Sequence, residues 1–195
     1  AAGELGTRVR TRLDQPVRRL GRQRDDPVAE LLAGEPTVAT YHSYAARIVT
    51  EHGIRGGHEP ATRLLTEAAS WQLVDTLVRA YDGDMSAVDR MPGTITDAVL
   101  ALSAELAEHL RTPGDLAAWT GRFFAEVQSR PGRVYADVRK ALTLAQARLR
   151  LLPLVRAYEQ RKELFEAMDF GDQLARAAQV ARDHPEVGAI ERERY

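Results

Sequence analysis

The chain contains no cysteine. Disulfides, thiol nucleophiles and zinc sites built on cysteine are therefore excluded. Lysine is almost missing: Lys140 and Lys162 are the only two, and each directly follows an arginine. A phosphate-binding Walker A loop needs Gly-Lys followed by Ser or Thr, because the lysine must reach the terminal phosphates. Neither lysine has that setting, so the sequence holds no P-loop. No Asp-Glu dipeptide occurs either, which removes the magnesium-binding carboxylate pair that usually accompanies such a loop. No Gly-x-Ser-x-Gly nucleophile elbow is present. No apolar run approaches the roughly 18 residues that span a bilayer. No signal peptide is visible, so the expected compartment is the cytoplasm and no membrane partner is expected.

Histidine gives little more. The five are His42, His52, His58, His109 and His184. His58-Glu59 begins a zinc-protease pattern, but Pro60 follows and no second histidine stands four residues on. A metal site is not expected, and His52, His58, His109 and His184 read as surface side chains.

What is present is ordinary for a folded protein. The 195 residues suffice for one large domain, 44% are hydrophobic and 28% are charged. Net charge is −1, so the chain is not a uniformly basic binder. The charge is uneven, however. Residues 1–24 carry seven Arg against Glu4 and Asp14. Residues 130–162 carry seven Arg and both lysines against Asp137 and Glu159. Residues 59–126 reverse the balance, with eleven carboxylates against five Arg. Such segregation gives either a basic face for phosphate or merely solvated helix surfaces.

The hydrophobic pattern is helical nearly throughout. Residues 2–13 read as a short Arg-rich helix, and residues 14–36 as a connection rich in Pro and Gly. Thr37–Tyr41 is the one convincing strand, β-branched and bounded by Pro36. Ser43 is placed to cap a helix over 43–52, which Gly53 ends. Residues 61–82 set Leu64, Ala68, Trp71, Val74, Val78 and Tyr81 on one helical face. Residues 94–110 repeat the pattern, with Thr94 as cap. Pro113 starts a helix to about 129, with Leu116, Trp119, Phe123, Phe124 and Val127 as its apolar line. A long helix covers 136–167, with Pro153 expected to kink it or start it afresh. Asp169 is placed to cap a helix over 170–182, and Pro185 opens a last short one. Asp169 and Asp172 could serve as a catalytic carboxylate pair. Capping by Asp169, with Phe170 buried, is the preferred reading. A lone strand is costly without a neighbour, so its sheet is expected to be completed by sequence outside these residues.

Three segments together resemble UvrD/Rep-type superfamily 1 DNA helicases. Ala1-Ala2-Gly3-Glu4 resembles the tail of motif Ia. Thr40-Tyr41-His42-Ser43 resembles the Thr-aromatic-His-Ser motif after a strand of the first RecA-like core. Tyr158 to Tyr195, with Asp169-Phe170-Gly171-Asp172-Gln173-Leu174, resembles the Asp-Phe-x-Asp-Leu region before the magnesium carboxylates, with Gln173 inserted. The resemblance implies a mainly α chain: a helical subdomain 1B plus a partial piece of a RecA-like P-loop α/β core. It implies a partial subdomain 1A over 1–53, subdomain 1B over 54–165 and a return to 1A over 166–195. The chain would then be a fragment running from motif Ia to just before Walker B. It would serve a 3′–5′ translocase in DNA repair or recombination, contributing contacts to single-stranded and junction DNA. ATP and magnesium would belong to the parent protein and no cofactor to this fragment, which would be inactive alone. Its other partners would be the remaining helicase domains of the same chain. Tyr41 and His42 are the implied single-strand contacts, Arg8 is a candidate phosphate contact, and Arg133 and Arg139 are candidates on a DNA-facing 1B surface. The alternative is a stand-alone helical adaptor that binds protein or DNA without ATP.

Overall fold

The computed structural model describes Arg8 and residues 40–57, 62–84 and 91–194. Helix dominates them: α1 (Tyr41–His52), α2 (Glu67–Arg79), α3 (Pro92–Glu108), α4 (Pro113–Ser129), α5 (Ala136–Leu164), α6 (Phe170–Asp183) and α7 (Pro185–Arg194). The strands among these residues are β1 (Arg63–Leu64) and β2 (Ala167–Met168), paired in parallel. The expected mainly α class is observed.

One device starts four of the helices. A side-chain oxygen accepts the backbone N–H three residues on, which satisfies a donor the helix leaves open. Thr40 does this for Ser43, Thr66 for Ala69, Thr112 for Asp115 and Asp169 for Asp172. In α4 and α6 the acid returns the bond, completing a capping box.

These caps revise several expectations. Thr40, not Ser43, caps α1, and Tyr41 is already helical, so the expected strand does not reach it. Thr37–Ala39 lie outside the described residues. α2 starts only at Glu67 because Thr66 caps it, and the residues before it go to β1. α3 starts at Pro92 rather than at a Thr94 cap, since proline's fixed φ suits a first helical position. α5 runs unbroken through Pro153, so the fresh helix start that was one of the two expectations does not occur there. Leu151, Leu152, Leu154 and Val155 around it are all buried. Their packing holds the helix across a proline that would otherwise cost about 3 kcal/mol.

Two apolar clusters result. The larger joins Val74 and Val78 of α2, Ile95, Val99, Leu102 and Leu106 of α3, and Leu151, Leu154, Val155 and Tyr158 of α5. The smaller joins Ala45, Ile48 and Val49 of α1 to Met168, Ala177, Val180 and Val187. The β1–β2 pair ties the start of the first to the start of the second, with Arg63 N donating to Glu166 O at 2.9 Å and Leu65 N to Met168 O at 2.8 Å. α6 also approaches α3 closely: a Cβ on Gly171 would lie 3.4 Å from Ala107 Cβ.

Candidate functional site

The end of α5 and the start of α6 carry a dense polar cluster. Lys162 sits in the last turn of α5 and is buried. Its Nζ donates to Asp169 Oδ2 at 2.8 Å and to Asp172 Oδ2 at 2.6 Å. The same ammonium lies 4.4 Å from the centre of the Tyr158 ring. Tyr158 Oη donates to Asp169 Oδ2 at 3.0 Å. The two aspartates are bound to each other's backbone as the cap of α6.

The electrostatics follow from this geometry. Burial pushes the Tyr158 hydroxyl well above its ordinary value; Ser70 opposes that and the Asp169 charge adds to it. Burial also opposes ionisation of Asp169. The Lys162 charge and hydrogen bond, the Asp172 N–H and the Tyr158 hydroxyl together outweigh it, so the carboxyl is held below its usual value. Tyr158 stays protonated, Asp169 ionised and Lys162 engaged. A general base needs a free acceptor near its substrate proton; this arrangement instead locks two elements together. The preferred structural reading of Asp169 is what its bonds display.

Phe170 differs from the expectation of burial. It is 39% exposed, because α6 turns the capping aspartates toward Lys162 instead. Its ring meets the edge of His42 at 5.4 Å, with planes at 89°. Residues 128 positions apart in sequence thus come together. Tyr41, beside His42 at the start of α1, is 87% exposed. The cap at Thr40 explains this: it fixes the first turn with Ala45, Ile48 and Val49 inward and leaves Tyr41, His42 and Ser43 outward.

The other candidates lie elsewhere. Arg133 precedes α5 and Arg139 is in its first turn, and both are exposed. A helix of 29 residues spans about 40 Å. Arg133 and Arg139 are therefore at the far end of α5 from Lys162, Phe170 and His42. Arg8 is helical and exposed, and the rest of the basic stretch over 1–24 lies outside the described residues.

Among the histidines, His109 is exposed and His58 lies outside the described residues. His184 is half-buried, with Nε2 3.1 Å from Arg55 O. His52, the last residue of α1, is buried, against expectation, beside Glu51 and Glu191 of α7. Its ring, Glu51 and Glu191 bring possible ligand atoms within 4.8 Å of one another. Two guanidinium groups already hold those carboxylates. Arg47 grips Glu191 through both nitrogens, and Arg194 Nη1 reaches Glu51 Oε2 at 2.7 Å and Glu191 Oε1 at 3.3 Å. The cluster is a charge-balanced tie between α1 and α7.

Sequence reasoning also missed the β strands, the His42–Phe170 contact and the exposure of Trp119 on α4. The apolar line read into α4 is only partly covered: Leu116, Phe123, Phe124 and Val127 are half-buried. Pro113 and Thr120 are its buried residues, and Trp119 is 51% exposed. Spacing alone reports that aromatics share a face, not that another element covers it. A comparison with protein-family models returns no match, and a search of curated proteins returns none.

Proposed function

We propose that the chain is the DNA-contacting part of an ATP-dependent helicase or translocase of the UvrD/Rep type. It combines a helical 1B subdomain with a piece of the first RecA-like core. The observation that carries this reading is the meeting of two of the resembling segments. Thr40–Ser43 and Asp169–Asp172 are distant in sequence, yet His42 packs on Phe170 and leaves Tyr41 open beside it. An aromatic in that position can stack on an unpaired base, and an exposed histidine can hydrogen-bond to base or phosphate. Lys162, Asp169 and Tyr158 support the pair from below as a rigid mount rather than as chemistry. On this reading ATP hydrolysis belongs to residues outside these 195, since the sequence has no Walker A lysine and no Asp-Glu pair.

The test is fluorescence anisotropy of a labelled junction, a single-stranded tail joined to duplex, titrated with the chain at several salt concentrations. Binding should weaken steeply with salt. Tyr41→Ala should cost about 1–3 kcal/mol of affinity, the range for one stacked base. An Arg133→Ala, Arg139→Ala double variant should flatten the salt dependence. No binding at low salt, or binding indifferent to Tyr41 and to both arginines, would overturn the reading in favour of the stand-alone adaptor.

A further inference from the structure

α3 and α4 each have 17 residues and each opens with proline. α3 buries six of its residues, whereas α4 buries Pro113 and Thr120 alone. Yet α4 is the more aromatic of the two. Trp119 and Phe123 stack along it with centroids 5.3 Å apart and planes at 13°. A hollow opens on each side of this pair. One, of about 350 Å³, is walled by Trp119, Leu116, Arg111 and Arg122. The other, of about 380 Å³, is walled by Phe123, Val127, Tyr135, Arg130 and Arg133. Tyr135 at its rim is 77% exposed.

Charge identifies the occupant. Residues 109–140 hold six basic side chains, Arg111, Arg122, Arg130, Arg133, Arg139 and Lys140, against Asp115, Glu126 and Asp137. Two of the three acids are already committed. Asp115 caps α4 through Thr112, and Glu126 pairs with Arg130. Arg122, Arg133 and Arg139 make no ion pair with a described residue, and Arg111 acts on the Asp115 carboxylate that is already committed to the cap; Arg182, by contrast, is tied to Asp183. A purely apolar partner helix would leave Arg122, Arg133 and Arg139 facing its surface without counter-charge. A polymer alternating flat rings with phosphates satisfies both features at once: rings against the aromatic stack, phosphates on the arginines.

We infer that the α4 face is a second binding site for single-stranded DNA, in which a base stacks on Trp119 and phosphates lie on Arg111 and Arg122. It takes the identity of the polymer from the function proposed above. The stacking itself rests on the α4 surface alone. The site is walled by α4 and the end of α3, and its residues are distinct from Tyr41 and His42 on α1.

Trp119 provides its own probe. In a Trp71→Phe background it is the sole tryptophan. Titration with an oligothymidylate of about 12 nucleotides, within the usual single-strand site size, should quench its emission. The quench should weaken with salt. An abasic sugar-phosphate oligomer of equal length should give little quenching. By anisotropy, Trp119→Leu should weaken oligothymidylate binding about 5- to 150-fold. Arg122→Gln, an exposed change that leaves the fold intact, should lower the salt slope by about one. Absence of quenching at low salt overturns the inference. Equal quenching by the abasic oligomer reduces the site to bare charge and also overturns it. A Trp119 response to an acidic amphipathic peptide but not to the oligonucleotide assigns the face to a protein partner instead. The two readings separate cleanly. If Trp119→Leu is silent while Tyr41→Ala weakens binding, this site fails and the earlier proposal stands. If Trp119 responds while Tyr41→Ala is silent, the site stands and the Tyr41 contact fails.

Discussion

The bundle of α2, α3 and α5 and the cluster of α1, α6 and α7 are held by different forces. The bundle is built from large, fully buried side chains: Tyr158, Leu154, Val155, Val74 and Val99. Burial of each aliphatic side chain there contributes about 1.5–3 kcal/mol. The cluster buries fewer such groups, Ile48, Val49, Met168, Val180 and Val187 with Ala45 and Ala177, and adds charge. Arg47 clasps Glu191, Arg194 joins Glu191 to Glu51, and Arg55 meets Glu186 at 3.0 Å. These pairs mostly bridge residues more than 130 positions apart. Apolar area stabilises wherever it is covered; an ion pair also fixes which surface meets which, and responds to pH and salt. The bundle is thus the robust part, and the cluster the adjustable part on which Tyr41 and His42 ride.

Lys162 joins the two, so its loss should show the largest effect. It stands at the end of the bundle's longest helix and neutralises the two carboxylates that open the cluster's α6. Lys162→Met leaves Asp169 and Asp172 facing each other without a cation. Breaking a buried pair from one side costs about 3–5 kcal/mol. The low end applies here, because the aspartates are 21% and 24% exposed. Urea unfolding should show a loss of about 3 kcal/mol. Adding Asp169→Asn and Asp172→Asn should recover much of it, since asparagine still caps a helix without the charge. A loss under about 1 kcal/mol would mean solvent already screens the site and the two regions are not coupled through it.

Acid should separate the regions next. The Arg194 hydrogen bond holds Glu51 below its ordinary value of 4.5, and the Arg47 hydrogen bond does the same for Glu191. A carboxyl depressed in the folded state stabilises above the unfolded value. As pH falls through that value the unfolded chain takes up protons first, and the contribution is gone once pH is below the folded value. Lowering the pH from neutrality through about 4 should therefore release α1 and α7 before the bundle. Hydrogen exchange, corrected for its intrinsic pH dependence, would reveal this as early loss of protection in 41–52 and 185–194. Simultaneous loss across both regions would mean that charge does not set the cluster's stability.

The same contrast decides what could be read from sequence. The bundle helices follow from periodicity, because a face covered by apolar neighbours leaves a 3.6-residue signature. The starts of α6 and α7 were legible from Asp169 and Pro185, where chemistry is local. The strand expected over Thr37–Tyr41 failed at its end because β-branched residues also precede helix caps, and Thr40 is one. The ion pairs of the cluster were invisible, since partners more than 130 residues apart leave no spacing to detect. The same holds for the His42–Phe170 contact. For α4 the spacing located the shared apolar face, but spacing could not report that Trp119 on it stays exposed. β1 and β2, two residues each, are too short for any alternation to register.

The smallest effect concerns the point where chain leaves bundle for cluster. Glu166 follows α5 and takes φ +49°, a left-handed conformation unusual for a residue with a Cβ. Its carbonyl accepts Arg63 N, so the strained residue also begins the strand pairing. The side chain is exposed, and no ion pair to a described residue offsets the strain. Glycine adopts this conformation without the Cβ penalty, although it loses more entropy on folding. The two nearly cancel in most places, but at a helix end with positive φ the balance favours glycine. Glu166→Gly should therefore stabilise the chain by up to about 1 kcal/mol. Glu166→Val, β-branched, should destabilise it by a similar amount. If thermal unfolding ranks the two the other way, the turn relaxes to negative φ in solution. The join between bundle and cluster would then be set by Lys162 and the helix cap rather than by the backbone at Glu166.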